Sequence, residues 1–413
     1  MWKPWDIEGW GLLKTLTDAI ERGVATGLTP EEAEKEVLDA FTDAMPDLIE
    51  KFGSDLGGTL LANAPGLLAK ERRRRRGFER RLQWAWGDGL NLLRATIACA
   101  EELGAGFQLE FGNVAAAEDD HRFEVLVSLH ARACLVAMEI DTLLRGGYPL
   151  GASARWRTLH EISVVAAVIG DGDQALALRF LRHGHAEAYE DALNWERHRP
   201  GAPGCLDAED LAALKALYDQ ALHDYGPKFA GPWRWAEPTN GGKVPTFHRL
   251  EQIAGLGHLR PNTREAGHLV HAGARGTEFG LYERNGQLIR ATGPVNIGLA
   301  EPGHGAAISL VNTTITLVMH GRPFEYSPVV TASLKALSVL QEATGDALLQ
   351  ASRRVDRLEE EHQAAVAQGR RAVARLERRK QVIRARDAAQ ASARASLSAH
   401  RQRWRSVRPR SSS

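Results

Sequence analysis

The sequence contains few cysteines, three in 413 residues: Cys99, Cys134 and Cys205. Three widely spaced thiols cannot form a disulfide framework or a four-thiolate zinc site. A chain of this length can bury a full core without such cross-links. Because free thiols are typical of reducing compartments, we predict a cytoplasmic protein.

Long apolar segments are also missing. The longest run, Ile162–Ile169, includes a serine and falls far short of the ~20 residues that a membrane-spanning helix needs. The first ten residues lack the basic-then-apolar pattern of a secretion signal. We therefore expect no membrane partner.

Several catalytic motifs are absent as well. The chain has no glycine-rich phosphate loop followed by Lys-Ser or Lys-Thr, no Gly-x-Ser-x-Gly elbow and no Cys-x-x-Cys pair. These absences remove the sequence support for a P-loop enzyme, an α/β-hydrolase or a dithiol oxidoreductase. We predict no cofactor.

Helix signals dominate what is present. Apolar residues recur three or four positions apart, which is the spacing of one helix face. Capping residues at Thr29–Pro30 and Asp119–Asp120 mark helix starts, and Gly146–Gly147 marks a helix end. An Asn-Gly pair within Leu281–Arg290 suits the tight turn of a β-hairpin. We predict an all-α multi-helix bundle with one small β-hairpin and a long basic C-terminal helix.

Charge is unevenly distributed although the net charge is zero. Residues 1–69 hold thirteen Asp or Glu against five Lys or Arg, whereas residues 351–413 hold seventeen Lys or Arg against six Asp or Glu. With a glycine-rich break expected at residues 53–66, this pattern predicts three parts. They are an acidic helical unit (1–64), a central bundle (65–325) and a C-terminal helix with a basic tail (326–413).

Two basic clusters are candidate nucleic-acid contacts. The first is a run of five arginines: Arg72, Arg73, Arg74, Arg75 and Arg76. The second lies in the basic tail and comprises Arg378, Arg379 and Lys380. Clustered cations attract phosphate backbones, although a solvated or acid-paired helix face explains the same pattern.

The predicted partner is RNA, or a protein held through the C-terminal helix. The basic charge of the tail favours either an acidic protein surface or a nucleic acid. A long projecting helix also favours a homo-oligomer, because such helices commonly pair with another copy.

The central segment 151–199 carries the candidate site. Arg157 and Glu161 lie four residues apart on one predicted helix, and His183 and His185 lie on the next. A further predicted helix, 262–274, carries Arg264 and His271. An imidazole and an arginine that converge between helices have the chemistry of metal-independent RNA cleavage, in which one moves a proton and the other stabilises the phosphate.

Two other interpretations of these residues stay open. The imidazoles and carboxylates would also supply ligands to an iron, manganese or zinc ion inside a bundle. However, the Glu-x-x-His pattern of bundle metal sites is absent from both central helices, and nearby arginines oppose a cation. We therefore predict no metal. A structural polar network, such as an Arg157–Glu161 pair that fixes helix register, is the third interpretation.

Short motifs across residues 118–320 resemble the bacterial family catalogued as domain of unknown function 5677. They are Arg157 with Glu161, Arg179-Phe180, Trp235-Ala236 and His271-Ala272. That family often has a serine three residues before the late histidine, where this chain has His268. The role of that hydroxyl therefore does not carry over.

The resemblance implies an all-helical cytoplasmic protein of a family in which some members are linked with phage defence. The arrangement is also similar to the helical toxins called HEPN, whose signature is an arginine and a histidine a few residues apart on a helix. Six residues separate Arg264 from His271, and four separate Arg155 from His160.

The leading hypothesis is thus a HEPN-type ribonuclease or toxin. In it, His271 moves the proton and Arg264 holds the phosphate. Glu161, held by Arg157, orients a partner, and His183 or His185 lies across the cleft. The alternative is a non-catalytic helical sensor or scaffold that binds nucleic acid or a protein through its basic C-terminal helix.

Overall fold

A computed structural model describes residues 12–198, 206–284, 287–321, 328–367 and 381–382. The described chain is almost entirely α-helical, with one two-stranded antiparallel sheet, so the predicted fold class is confirmed. The helices are α1 (Leu12–Ala25), α2 (Pro30–Ala117), α3 (His121–Gly146), α4 (Pro149–Gly170), α5 (Gln174–His198), α6 (Ala208–Tyr225), α7 (Phe247–Ile253), α8 (Arg260–Val270), α9 (Ala300–His320) and α10 (Pro328–Ala367). Strands β1 (Leu281–Arg284) and β2 (Gln287–Arg290) form the predicted hairpin, whose two turn residues lie outside the described residues.

The chain divides into two compact units, residues 1–78 and 79–413. The predicted division at 64/65 and 325/326 stays a prediction. The expected break at residues 53–66 is wrong, because α2 continues through this stretch with Pro65 inside it. Glycine weakens a helix by about 1 kcal/mol relative to alanine but does not forbid it. Glycine content alone was therefore insufficient to predict a break in the helix.

In the first unit, the start of α2 forms as predicted. The Thr29 hydroxyl accepts a hydrogen bond from the Glu32 amide, and the Glu32 carboxylate accepts one from the Thr29 amide. These contacts with Thr29 hold the pKa of Glu32 below its ordinary value. The two residues thus cap the first turn reciprocally.

The predicted arginine cluster also lies on α2, within the first unit. Its residues are all exposed: Arg72, Arg73, Arg74, Arg75 and Arg76. Because five consecutive residues span more than one helical turn, their side chains point in different directions around the helix and do not form a single basic stripe. Exposure fits a phosphate contact and a solvated helix face equally, so the nucleic-acid contact stays a prediction.

The second unit is built around α3, α4 and α9, which pack against one another. α4 runs rich in Val, Ile and Ala, and its Leu159 and Ile169 are fully buried. Helix α9 approaches α4 closely at Gly305, where a Cβ would lie 2.3 Å from the Trp156 ring. Small residues are thus needed where the two helices cross.

Helix α3 has the ends that its sequence predicts. The Asp120 side chain accepts a hydrogen bond from the Phe123 amide, and Gly147 ends the helix at φ 79°. Within the helix, the buried carboxylate of Asp141 accepts hydrogen bonds from Arg94 of α2 and from Arg145. This pairing fixes α3 against the second-unit part of α2.

Helix α10 packs along α9. Its Leu348 lies in close contact with Gly303 of α9, and its Thr344 hydroxyl lies 3.0 Å from that of Thr96 in α2. The predicted long C-terminal helix is thus present to Ala367. The basic residues Arg378, Arg379 and Lys380 lie outside the described residues.

Within the described chain, no helix combines the length and the apolar character that a membrane crossing requires.

Candidate functional site

A buried ionic cluster joins α4 to α7 and α8. His160 of α4 is fully buried, and its Nε2 lies 3.1 Å from a carboxylate oxygen of Glu251 in α7. Glu251 is also buried and accepts hydrogen bonds from Arg260 and Thr263 of α8. One acidic side chain therefore connects three helices.

The electrostatics of this cluster indicate a structural role. Burial lowers the pKa of His160, which keeps the imidazole neutral so that Nε2–H donates to Glu251. Burial works against an ionised Glu251, but hydrogen bonds from Arg260 and His160 outweigh it and hold the Glu251 pKa below its ordinary value. A neutral histidine sealed in this way has no access to a substrate.

The Arg155–His160 signature does not converge. Arg155 pairs with Glu139 of α3 at the partly exposed helix surface, whereas His160 points into the core toward Glu251. Five residues on a helix separate two side chains by more than a quarter turn. The two groups therefore face different surroundings.

Arg157 and Glu161 form the ion pair that their four-residue spacing predicts, at 3.2 Å. The Arg157 guanidinium also lies 4.3 Å from the centre of the Phe247 ring. Glu161 is partly exposed and faces an open cleft. The pair fixes the position of the Glu161 carboxylate at the cleft edge.

This cleft, which we call the α4–α5 cleft, has a volume of about 730 Å³, within the range of small-molecule sites. It is lined by α3, α4, α5 and the segment 230–235. Ile162 and Val165 of α4 give it an apolar floor, and both are buried. Phe180 and Trp235 form an aromatic wall, with ring centres 5.0 Å apart in an edge-to-face arrangement.

His183 lies at the base of the cleft and is engaged at both ring nitrogens. Its Nε2 lies 3.0 Å from the Gly231 carbonyl oxygen, and its Nδ1 lies 3.5 Å from Glu187. Burial opposes the charged form, but the hydrogen bonds to Glu187 and Gly231 outweigh it and raise the pKa of His183. Both contacts therefore favour the charged form of His183.

Arg179 anchors the segment that carries the cleft tryptophans. Its guanidinium donates to the backbone carbonyls of Arg234 and Trp235 and to the Glu237 carboxylate. It also stacks over the rings of Tyr225 and Phe229. A planar fork with several donors suits this task better than a lysine ammonium.

Arg264 and His271 lie away from this arrangement. α8 ends at Val270, so His271 has extended backbone (φ −110°, ψ 145°) rather than the helical position predicted within 262–274. Both side chains belong to exposed residues, and neither lines the α4–α5 cleft. Gly273, two residues later, is a poor helix former, and the chain turns into a 3₁₀ segment at Ala274–Glu278.

The structure thus brings together part of the predicted site. Glu161 and His183 line one cleft, and Arg157 supports Glu161 from outside it. His185, two residues after His183 on α5, is half-buried, and its Nδ1 has no hydrogen-bond partner in the described structure. The metal interpretation gains nothing, since no group of three His, Cys, Asp or Glu in the described ranges is placed to hold an ion.

Sequence reasoning missed two residues of interest here. Arg132 is an exposed residue of α3 that enters the cleft lining only through tertiary packing, so no local pattern marks it. Trp233 is half-buried at the cleft edge with φ 61°. Its neighbouring prolines and glycines are the one signal of an unusual backbone.

Comparison with known proteins gives one match. Residues 123–287 match the model of a family described as "Family of unknown function (DUF5677)". The predicted family is therefore confirmed for this segment, which contains α3 to α8 and the α4–α5 cleft. No curated protein and no solved structure matches the chain significantly.

Proposed function

We propose that this protein, which belongs over residues 123–287 to the family of unknown function DUF5677, is a non-catalytic helical sensor. Its input site is the α4–α5 cleft, and its output element is α10 with the basic tail that follows. The observation that carries the proposal is the position of α4, which lines the cleft on one side and packs against α9 on the other.

A continuous set of contacts leads from the cleft to α10. Ile162 and Val165 face the cleft, and earlier on the same helix the Trp156 indole N–H donates to the Ser309 hydroxyl of α9. On α9, Gly303 then receives Leu348 of α10. Packed helices shift as units rather than deform continuously, so an occupant that moves α4 also biases α10.

A variant that fills the cleft tests this coupling without any ligand. Thr158→Trp, on the α4 side, and Asn194→Trp, on the exposed α5 rim, each place an indole in the cleft. Amide hydrogen exchange across Pro328–Ala367 is expected to change by about fivefold or more, the low end of allosteric couplings. The matched control is Leu135→Trp on exposed α3 surface outside the cleft, which should leave α10 unchanged. Unaltered α10 exchange in both folded filling variants would contradict the sensor.

A second candidate is the metal-independent ribonuclease, with a toxin or defence role and RNA as its partner. It is favoured by one observation, that Glu161 and His183 line the same open cleft. Against it stand the exposed positions of Arg264 and His271 outside that cleft, and the engagement of both His183 nitrogens.

One assay separates the two candidates. Purified protein is incubated with total RNA and EDTA beside its His271→Ala variant. The sensor proposal expects intact RNA with both proteins. Cleavage by the wild type that is lost in the variant would establish the ribonuclease instead.

Two further proposals rest on the sequence. Free Cys99 and Cys134 fit a cytoplasmic location. The length of α10, 40 residues, favours a homo-oligomer or a protein partner that covers its exposed face. Light scattering of the purified chain measures the oligomeric state directly.

A further inference from the structure

Most of the charged side chains that line the α4–α5 cleft are acidic. Four carboxylates line it: those of Glu161, Glu187, Glu190 and Asp191. Among the described residues that line the cleft, Arg132 is the only arginine or lysine. Arg157 pairs with Glu161, and His183 pairs with Glu187, which leaves two exposed carboxylates of α5, Glu190 and Asp191, against one arginine, Arg132. Such a lining repels phosphates and attracts cations.

The walls of the cleft add a second preference, for an apolar body. Phe180, Trp233 and Trp235 contribute aromatic rings above the buried Ile162 and Val165. Aromatic faces attract ammonium and guanidinium groups through their quadrupole, with tryptophan the strongest of the three ring types. Carboxylates beside tryptophans are therefore suited to a cation that also carries hydrocarbon.

The aromatic wall is built in advance of any ligand. Trp233 is one of two non-glycine residues with positive φ in the described chain, and its ring packs against Phe247 at 5.5 Å. A bulky residue in that conformation costs of order 1–3 kcal/mol and persists only where its surroundings hold it. Arg179, bound to the carbonyls of the next two residues, supplies that hold. A preformed wall loses less entropy on binding.

Resting on the sensor function, we propose that the α4–α5 cleft binds a small organic cation. Its positive group, an ammonium or a guanidinium, would lie between the carboxylates of Glu190 and Asp191 and the half-buried ring of Trp233. Its apolar body would lie against Ile162 and Val165. The cleft volume of about 730 Å³ suits a free small molecule rather than a bare ion.

The test uses benzyltrimethylammonium as the probe, with benzyl alcohol as a neutral comparison and adenosine monophosphate as an anionic one. Calorimetric titration of the full chain is expected to show binding of the cation and of neither comparison compound. A Glu190→Gln/Asp191→Asn double variant alters two exposed residues and should bind about tenfold more weakly, an ordinary loss for two charge contacts.

Glu196→Gln is the matched control, because Glu196 is exposed on the same helix and lies outside the cleft lining. It should bind the probe as tightly as the wild type. Absence of cation binding, equal binding by the double variant, or preferred binding of the anion would each overturn the proposal. The cleft-filling variants test the sensor proposal without any ligand. If they alter α10 exchange while the wild type binds no cation, the proposed ligand class is wrong and the sensor proposal is retained.

Discussion

Replacing Glu251 with alanine is expected to lower the free energy of unfolding by about 3–5 kcal/mol, the usual effect of breaking a buried ion pair. The Glu251 side chain is 1% exposed and accepts hydrogen bonds from His160, Arg260 and Thr263. Its removal leaves the buried Nε2–H of His160 without an acceptor and eliminates the carboxylate that links α4 to α7 and α8. Urea denaturation followed by circular dichroism measures the loss.

A matched variant on α8 checks that the effect comes from this cluster. Glu265 is exposed, so Glu265→Ala should change stability by no more than about 0.5 kcal/mol. A free energy of unfolding for Glu251→Ala within about 1 kcal/mol of the wild-type value would be close to the effect of an exposed substitution. It would show that the cluster does not hold the helices together.

Acidification should destabilise the second unit through His130. This residue is 5% exposed, and burial lowers its pKa from 6.5 to about 4. Between pH 6.5 and 4, His130 therefore binds a proton in the unfolded state but not in the folded state. The free energy of unfolding falls as the pH falls through this window. The loss attributable to His130 is about 3 kcal/mol at pH ~4 relative to pH ~7.

Replacing His130 with glutamine is expected to flatten the pH dependence by that amount. Unfolding free energies at several pH values between about 7 and 4 provide the measurement. His160 and His304, whose pKa values are also lowered by burial, leave part of the slope in place. His223→Gln is the control, since the His223 side chain is 84% exposed. An identical slope in the wild type and the His130→Gln variant would contradict the assignment.

The sequence predicted helix boundaries and side-chain pairs well where residues close together in the chain determine them. The boundaries of α3 follow from the Asp120 cap and from Gly147, which adopts the left-handed conformation that glycine tolerates. The His183–Glu187 and Arg157–Glu161 pairs follow from four-residue spacing. Such features need no knowledge of the rest of the chain.

The cleft and the buried cluster depend on contacts that spacing does not encode. His160 meets Glu251 across 91 residues of sequence, and Arg179 donates to the Arg234 carbonyl across 55 residues. α8 ends at Val270, so His271 lies outside the helix that was predicted over 262–274. The glycines of residues 53–66 predicted a break that does not occur. Helix formation is cooperative, so the helical residues on both sides stabilise α2 through this stretch.

The most direct test of the account is amide hydrogen exchange of α10 with and without saturating benzyltrimethylammonium. The account predicts that the cation alters exchange across Pro328–Ala367 in the wild type and has little effect at the same concentration in the Glu190→Gln/Asp191→Asn variant. The account would be contradicted if the cation bound the wild type tightly and α10 exchanged at the same rate with and without it. The cleft would then bind a ligand without any effect on α10.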